Sequence, residues 1–163
     1  SCVWYYRRLI NEVGEKRTKH YLQKFNYGNM DTSDWKGLLN SNTNIPELRG
    51  FWLESSLKIS PVEQTRVLAE IFKKNSPAAA DLQNVMKIQD SPVKIYGKTG
   101  MGVKNDKVVD AWFVGFYETA DNKIFFAVRL DDNDNNAAPG YRTRAIQIAR
   151  QITVEIINRE KIF

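Results

Sequence analysis

A cation, a hydroxyl and a glycine follow one another in the segment Tyr96-Gly97-Lys98-Thr99-Gly100-Met101, which continues a short β-prone run. At the end of a strand, Lys98 supplies positive charge and Thr99 a hydroxyl, while Gly100 lets a ligand approach the backbone closely. The amide of Met101 is then free to bind an oxyanion. These residue types predict a site for an anionic ligand that carries a carbonyl group, although so short a motif needs support from the rest of the chain.

Metal-binding and histidine-based patterns are weak in this sequence. His20 is the single histidine and Cys2 the single cysteine, which excludes a Cys-based zinc site and a Ser-His-Asp triad within these residues. The acidic run at residues 131–135 is similar to a calcium loop, but Asn136 and Arg142 stand where such loops carry glycine and glutamate. We therefore expect no metal cofactor.

Two Ser-x-x-Lys sequences occur, Ser33-Asp34-Trp35-Lys36 and Ser55-Ser56-Leu57-Lys58. A serine with a lysine one helical turn later is how penicillin-interacting enzymes activate a nucleophile. The first sequence lies in a polar segment, and the second lies just before a capped helix in a run that packing already explains. We interpret both as coincidences, because four-residue motifs have a large false-positive rate.

Length and composition indicate one domain with a substantial core. The chain has 163 residues, of which 42% are hydrophobic and 12% aromatic. Its net charge of +5 comes from scattered Lys and Arg, so we expect no nucleic-acid partner. No apolar run approaches the ~20 residues of a membrane span. The chain lacks an initial Met and opens inside a predicted helix, and we interpret it as a piece of a longer protein.

Residue patterns predict helices that cover a small sheet. Helical spacing and capping residues predict helices over residues 3–13, 15–25, 60–74 and 76–88. β-prone runs predict strands over residues 93–96, 108–118 and 123–130, with a hairpin turn at 120–122. The apolar face of a closing helix is predicted to consist of Ala145, Ala149, Ile152 and Ile156. The fold class is therefore α+β with an antiparallel sheet, and the polar residues 31–50 are predicted to be a surface insertion.

Five short motifs follow one another along the chain. They are Ser1-Cys2-Val3, Tyr27-Gly28-Asn29, Phe51-Trp52-Leu53-Glu54, Lys98-Thr99-Gly100 and Ala111-Trp112-Phe113-Val114-Gly115, followed by a basic closing helix. In this order they resemble the C-terminal portion of class D β-lactamases (oxacillinases), which penicillin-sensing domains of bacterial β-lactam receptors share. The resemblance covers nearly the whole chain apart from residues 31–50. It implies that residues 1–163 are the C-terminal portion of one penicillin-recognising serine hydrolase domain of the β-lactamase and transpeptidase type.

The resemblance implies roles in catalysis for several of these residues. Ser1 matches a serine that relays a proton to the β-lactam nitrogen, and Lys98 matches its cationic partner. Lys98 and Thr99, beside Gly100, match the residues that hold the substrate carboxylate. Met101 matches the residue whose backbone amide is half of the oxyanion hole. We expect these groups to converge on one pocket with Trp52.

The resemblance also implies a general base formed from a lysine that has reacted with carbon dioxide. Trp52 matches the tryptophan whose indole N–H bonds this carboxylated lysine, and Val3 and Leu57 match apolar residues that screen it from water. Arg142, at the start of the last helix, matches the residue that pairs with the substrate carboxylate. Arg144 is the alternative.

Without the motif order, these residues also have purely structural interpretations. Ser1 is then a helix cap, Trp52 a core residue and Arg142 an exposed residue at a helix start. Tyr27-Gly28-Asn29 is expected to be structural in either case.

One part of the family pattern is absent from these residues. In the family, the nucleophilic serine and the lysine that becomes carboxylated lie upstream of Ser1, so the missing N-terminal segment is an expected partner. The implied function is hydrolysis of β-lactam antibiotics through an acyl-enzyme. A penicillin-sensing receptor domain that is acylated without turnover is the alternative, and an unreactive relative is a third. The resemblance also implies a β-lactam ligand and a periplasmic or secreted location.

Overall fold

The structure, a computed structural model, describes residues 2–40, 49–104, 107–131 and 141–160, without the side chains of residues 104, 107, 141–143 and 160. At the centre lies an antiparallel sheet with the strand order β1-β2-β3-β4. The strands are β1 (Lys87–Gln89), β2 (Lys94–Lys104), β3 (Lys107–Glu118) and β4 (Lys123–Asp131). The predicted hairpin turn joins β3 to β4, where Thr119 N donates to Asn122 O at 2.9 Å.

The described residues also form helices, of which the three that follow residue 60 in the chain pack on this sheet. The helices are α1 (Val3–Val13), α2 (Glu15–Lys24), α3 (Pro61–Phe72), α4 (Pro77–Met86) and α5 (Tyr141–Glu160). Local signals set several of the ends: Ser60 and Glu63 form a capping box at the start of α3, and Ser76 caps α4. Gly14, with a φ of 78°, separates α1 from α2. The predicted helices are therefore confirmed, except for the end of the fourth.

The sheet carries a hydrophobic core on each of its two faces. On one face, Tyr96 and Phe116 pack against α3 and α4. On the other face, Ile95 and Tyr117 pack against Ile157 of α5. Because successive residues of a strand point to opposite faces, the neighbours Ile95 and Tyr96 belong to different cores. This arrangement confirms the predicted α+β fold with helices flanking an antiparallel sheet.

The sheet has one strand more than the sequence predicts. The fourth helix is predicted to reach Ile88, but α4 ends at Met86 and Lys87–Gln89 form β1. These three residues pair with the beginning of β2, where Lys87 lies opposite Tyr96. A strand of three residues is too short to show a sequence period of its own, so pairing with β2 decides its conformation.

The buried face of α5 differs from the prediction. Ala145 and Ala149 are buried as expected, but Ile152 and Ile156 are 43% and 53% exposed, whereas Thr153 is buried. Residues four apart advance by about 400° along a helix, so a row of contacts at this spacing drifts by about 40° per step. The buried row follows the four-residue spacing from Ala149 to Thr153 and turns gradually around the helix, and the two isoleucines lie beside it.

The described part of segment 31–50 is only partly the surface insertion that its polar composition predicts, because some of its residues are exposed and others are buried. Thr32 and Asn40 are each only 3% exposed, and the Trp35 ring stacks on Phe51 with 5.0 Å between centroids. The carboxylate of Asp34 accepts hydrogen bonds from backbone amides of its own turn. Polar residues are buried here because the turn satisfies its backbone groups with its own side chains.

Two features are absent from the described ranges. None of their helices is both long and apolar enough to cross a membrane. No group of three or more His, Cys, Asp or Glu side chains in these ranges is placed to hold a metal ion. Most of the calcium-loop candidate at residues 131–136 lies outside the described residues.

Candidate active site

The Lys-Thr-Gly motif lies inside β2 and not at its end, at a point where the strand has a partner on one side. Lys98 pairs with Val114 and Gly100 with Trp112 of β3. On the other side, β1 reaches only to Tyr96, and beyond that residue no strand in the described part of the chain pairs with β2. The edge of β2 past Tyr96, here called the open edge, therefore has backbone groups available to a ligand.

Backbone orientation decides which groups the open edge presents. Gly102 N donates to Asp110 Oδ1 on β3 at 3.0 Å. Consecutive amides of a strand point to opposite edges, so the N–H of Met101 points away from β3 and toward the open edge. The carbonyl of Thr99 shares this edge, and Lys98 Nζ donates to it at 2.6 Å. The structure thus brings an ammonium group and a free amide to the same edge.

The side chains of the motif leave the strand on alternate faces. Lys98 shares the face of Tyr96, whereas Thr99 lies on the face covered by α5. The sequence suggests that the Lys98 ammonium and the Thr99 hydroxyl lie side by side, but the two side chains leave the strand on opposite faces. The Lys98 ammonium instead reaches the open edge by bending to the Thr99 carbonyl.

The two glycines around Lys98 have different roles in packing. A β-carbon at Gly97 would lie 2.5 Å from the ring of Phe113, so packing requires glycine there. A β-carbon at Gly100 would meet only Trp112 Cβ, at an ordinary 3.5 Å. Packing leaves space at Gly100, as expected for a strand that a ligand approaches closely.

Trp52 lies on a tight turn outside the sheet. Leu53 N donates to Gly50 O at 2.9 Å, and the adjacent Phe51 is 2% exposed. The half-buried Trp52 ring lies edge-on to Phe51 at 5.2 Å and covers Gly50. Among the described residues, the Trp52 indole N–H has no hydrogen-bond acceptor. The donor that the predicted role requires is therefore available.

Segment 31–40 holds the turn that carries Trp52. Ser55 Oγ donates to Asp34 Oδ2, and Asn40 Nδ2 donates to the carbonyl of Leu53, both at 2.5 Å. Desolvation acts to raise the pKa of Asp34, but hydrogen bonds from Ser55 and from backbone amides outweigh it and lower the pKa. The Ser55 hydroxyl is thus bonded to a carboxylate, in agreement with the interpretation of its Ser-x-x-Lys sequence as a coincidence.

The Tyr27-Gly28-Asn29 motif connects the end of α2 to the same loop. Asn29 Nδ2 donates to Ser56 O at 2.8 Å, and Asn29 Oδ1 accepts from Lys58 N at 2.9 Å. Gly28 has a φ of 52°, and a β-carbon there would overlap the carbonyl oxygen of Lys58. These contacts confirm that the motif is structural.

The remaining predicted site residues belong to other elements. Val3 is the half-buried first residue of α1, and Leu57 is half-buried beside the Trp52 turn. Ser1 and the side chain of Arg142 lie outside the described residues. Arg144 is exposed on α5. The catalytic and binding roles assigned to all of these residues stay predictions.

The structure also contains a cavity and an ion-pair cluster that the sequence does not predict. The cavity, of about 380 Å³, is lined by Trp52, by residues of α1 and by residues within 35–38 and 49–50, and Lys98 is not on its wall. The convergence of Trp52 and Lys98 on one pocket therefore also stays a prediction. In the ion-pair cluster, Arg129 Nε bonds Asp110 Oδ2 at 2.9 Å and the guanidinium lies 5.8 Å from the Trp112 ring. Both features depend on contacts between distant residues, for which the sequence carries no local signal.

Comparison with known proteins identifies the family. The penicillin-binding protein transpeptidase domain matches residues 1–154. The chain is 31% identical to regulatory protein BlaR1 of Bacillus licheniformis over 170 residues, which cover 100% of this chain and 24% of that protein. It is 36% identical to β-lactamase OXA-1 of Escherichia coli over 141 residues, which cover 82% of this chain and 49% of that protein.

Comparison with a solved structure also places the chain among these proteins. The class D β-lactamase of Sebaldella termitidis matches with a TM-score of 0.75 and 27% identity, over 99% of this chain and 60% of that one. The chain spans less than two thirds of each of these relatives. Both enzymes and a regulatory protein are thus among the proteins it resembles. This chain belongs to the penicillin-binding protein transpeptidase domain family.

Proposed function

We propose that this chain provides the β-lactam-recognising side of a class D serine β-lactamase active site. The observation that carries the proposal is the open edge of β2, where the ammonium of Lys98 and the N–H of Met101 lie together. A β-lactam antibiotic presents a carboxylate close to a ring carbonyl. The ammonium is suited to the carboxylate, and the amide to the oxyanion that forms when the carbonyl is attacked.

In the proposed reaction, a serine upstream of this chain attacks the ring carbonyl. The new C–O bond forms while the C–N bond breaks, and the proton that the attacking hydroxyl loses is relayed through Ser1 to the departing nitrogen. Water then hydrolyses the ester, activated by the lysine modified with carbon dioxide that the family resemblance implies. Trp52 fits this step because its indole N–H has no acceptor among the described residues and can bond a carboxylate.

A penicillin-sensing domain is the second candidate function. The match to the regulatory protein BlaR1 covers 100% of this chain at 31% identity, and the match to the class D β-lactamase of Sebaldella termitidis covers 99% at 27%, so a sensor is as similar as an enzyme. A sensor would bind the same ligand at the same edge and form the same ester. It would differ in the last step, because water would not reach or attack the ester and the adduct would persist.

Mass spectrometry of the polypeptide that carries the nucleophile distinguishes these functions. After mixing with benzylpenicillin, a hydrolase gives a transient adduct and released product, whereas a sensor gives a lasting adduct of one ligand per protein. Benzylpenicillin whose lactam ring has already been opened is the matched control, since it keeps the carboxylate and cannot acylate. Absence of any adduct would contradict both candidates.

A further inference from the structure

We propose that the cavity that α1 forms with residues 35–38 and 49–52 binds a small aromatic carboxylate. Its volume of about 380 Å³ lies within the range of small-molecule sites. The lining includes three cationic side chains, Arg7, Lys36 and Arg49, and two indole rings, Trp35 and Trp52. Lys98 is not among the lining residues, and although Trp52 also has a role in the proposed function, this inference rests on the cavity's own contacts and not on that role.

The described part of the cavity wall has an excess of positive charge. None of the described residues that line it is acidic, and none of the three cations forms an ion pair within the described ranges. The neighbouring Arg8 shows the contrast, because it is paired with Glu12 at 3.0 Å on the same helix. Like charges around one cavity repel each other. A bound anion attracts each of them and so offsets that repulsion.

Arg49 gives the sharpest indication of a missing anion. Its Nε is buried and has no hydrogen-bond partner in the described part of the chain. A buried charged donor without an acceptor is costly, so native structures usually supply one. A planar guanidinium accommodates a carboxylate through two parallel hydrogen bonds. A carboxylate in this cavity would satisfy the donor.

The aromatic walls favour a flat ligand. Trp35 stacks on the buried Phe51 with an interplanar angle of 10°, and Trp52 meets the same ring at 79°. Because Phe51 contacts both indoles, it holds the two walls of the cavity in fixed positions. Ile10 and Leu38 add apolar surface. An aromatic ring can pack against these walls while its carboxylate faces the cations.

Benzoate is the probe, titrated into the 163-residue chain while NMR records the indole N–H signals. We expect saturable shifts of the Trp35 and Trp52 signals and no shift of Trp112, whose ring lies on the sheet next to Arg129. Benzamide is the matched ligand control, because it has the same ring without the charge. It should bind at least about tenfold more weakly, which corresponds to ~1.4 kcal/mol.

Charge variants test which residues hold the anion. Arg49→Gln should weaken benzoate binding at least about tenfold, by loss of the charged donor. Arg150→Gln, at an exposed position of α5, should leave binding unchanged. Arg7→Gln is the second test should Arg49→Gln fail to fold, as judged by circular dichroism.

Three outcomes would overturn the inference. They are the absence of saturable shifts, equal affinity for benzamide, and loss of benzoate binding in a polypeptide extended to the length of the relatives. In the last case a segment of the same polypeptide would fill the cavity. None of these measurements involves β-lactam turnover, so failure here is distinguishable from failure of the proposed function.

Discussion

Ser55 Oγ donates a hydrogen bond to Asp34 Oδ2 at 2.5 Å, across 21 positions of the sequence. The same carboxylate accepts hydrogen bonds from the backbone N–H groups of Leu38 and Leu39, each with an N···O distance of 2.8 Å. One acidic side chain therefore fixes both its own turn and the loop that carries Trp52.

Asp34→Asn should destabilise the protein. The change keeps the size of the side chain but removes its charge and turns one acceptor into a donor, so we expect a loss of about 1–3 kcal/mol in the free energy of unfolding. Urea denaturation at neutral pH measures it. Asp81→Asn, at an exposed position of α4, is the matched control and should cost less than ~0.5 kcal/mol. Equal losses in the two variants would contradict the role of Asp34.

The stabilisation by Asp34 should depend on pH. Its pKa is lowered in the folded protein, so its contribution is complete above the unfolded value of about 3.9 and is lost as pH falls through the folded value. The difference in Tm between the native chain and Asp34→Asn should therefore be constant above roughly pH 5 and shrink at lower pH. A difference that stays constant through the acid range would show that the carboxylate charge is unimportant.

Gly28→Ala should be more damaging than Gly14→Ala. Both glycines have positive φ, 52° and 78°, but only at Gly28 would a β-carbon overlap a backbone atom, the carbonyl oxygen of Lys58. We expect about 1–3 kcal/mol of destabilisation at Gly14 from backbone strain alone. At Gly28 the clash should raise this to about 4 kcal/mol or prevent folding. Denaturation of the two variants in parallel tests the comparison, and similar stabilities would contradict the overlap.

The 163-residue chain by itself should not hydrolyse β-lactams. It contains the groups proposed to bind the ligand, but the hydroxyl of Ser55, in one of its two Ser-x-x-Lys sequences, is bonded to Asp34. Nitrocefin, which changes colour on hydrolysis, is the assay. Should turnover appear and then vanish in Ser55→Ala, the interpretation of that sequence as a coincidence would be wrong.

Lys98→Ala should slow acylation in the polypeptide that carries the nucleophile. We expect a decrease of about 100-fold to 1,000-fold, as for the loss of one preorganised group that stabilises developing charge. Lys94→Ala is the matched control, because Lys94 is an exposed lysine on the same face of β2. The rate of adduct formation with benzylpenicillin, followed by mass spectrometry, measures both variants. Equal effects would indicate that only the net charge of the strand matters.

Helix boundaries could be predicted because their signals are local. Ser60 and Glu63 form the capping box that their spacing predicts, and Gly14 ends α1. The strand β1 could not be predicted, since pairing with β2 decides its conformation. The packing of the described residues of segment 31–50 could not be predicted for a related reason, because the carboxylate of Asp34 is satisfied by contacts that form only in the folded turn.

The candidate site could be predicted as a set of residue types but not as a geometry. The sequence shows Lys98 and Met101, yet the direction of the Met101 amide follows from the bond between Gly102 and Asp110 across two strands. Nothing in the sequence around Arg49 indicates a binding site, because the cavity that Arg49 lines forms only where α1 meets residues distant in the chain. Cross-strand register and long-range packing are tertiary properties.

The open edge of β2 also affects how two copies of the molecule meet. Unpaired amides and carbonyls can join any extended backbone, including the same strand of a second copy. In such an association the Lys98 ammonium groups of the two strands would come close together and repel each other, and a charged residue on an edge strand is a common means of preventing aggregation. The lysine proposed to attract a ligand carboxylate therefore also opposes self-association.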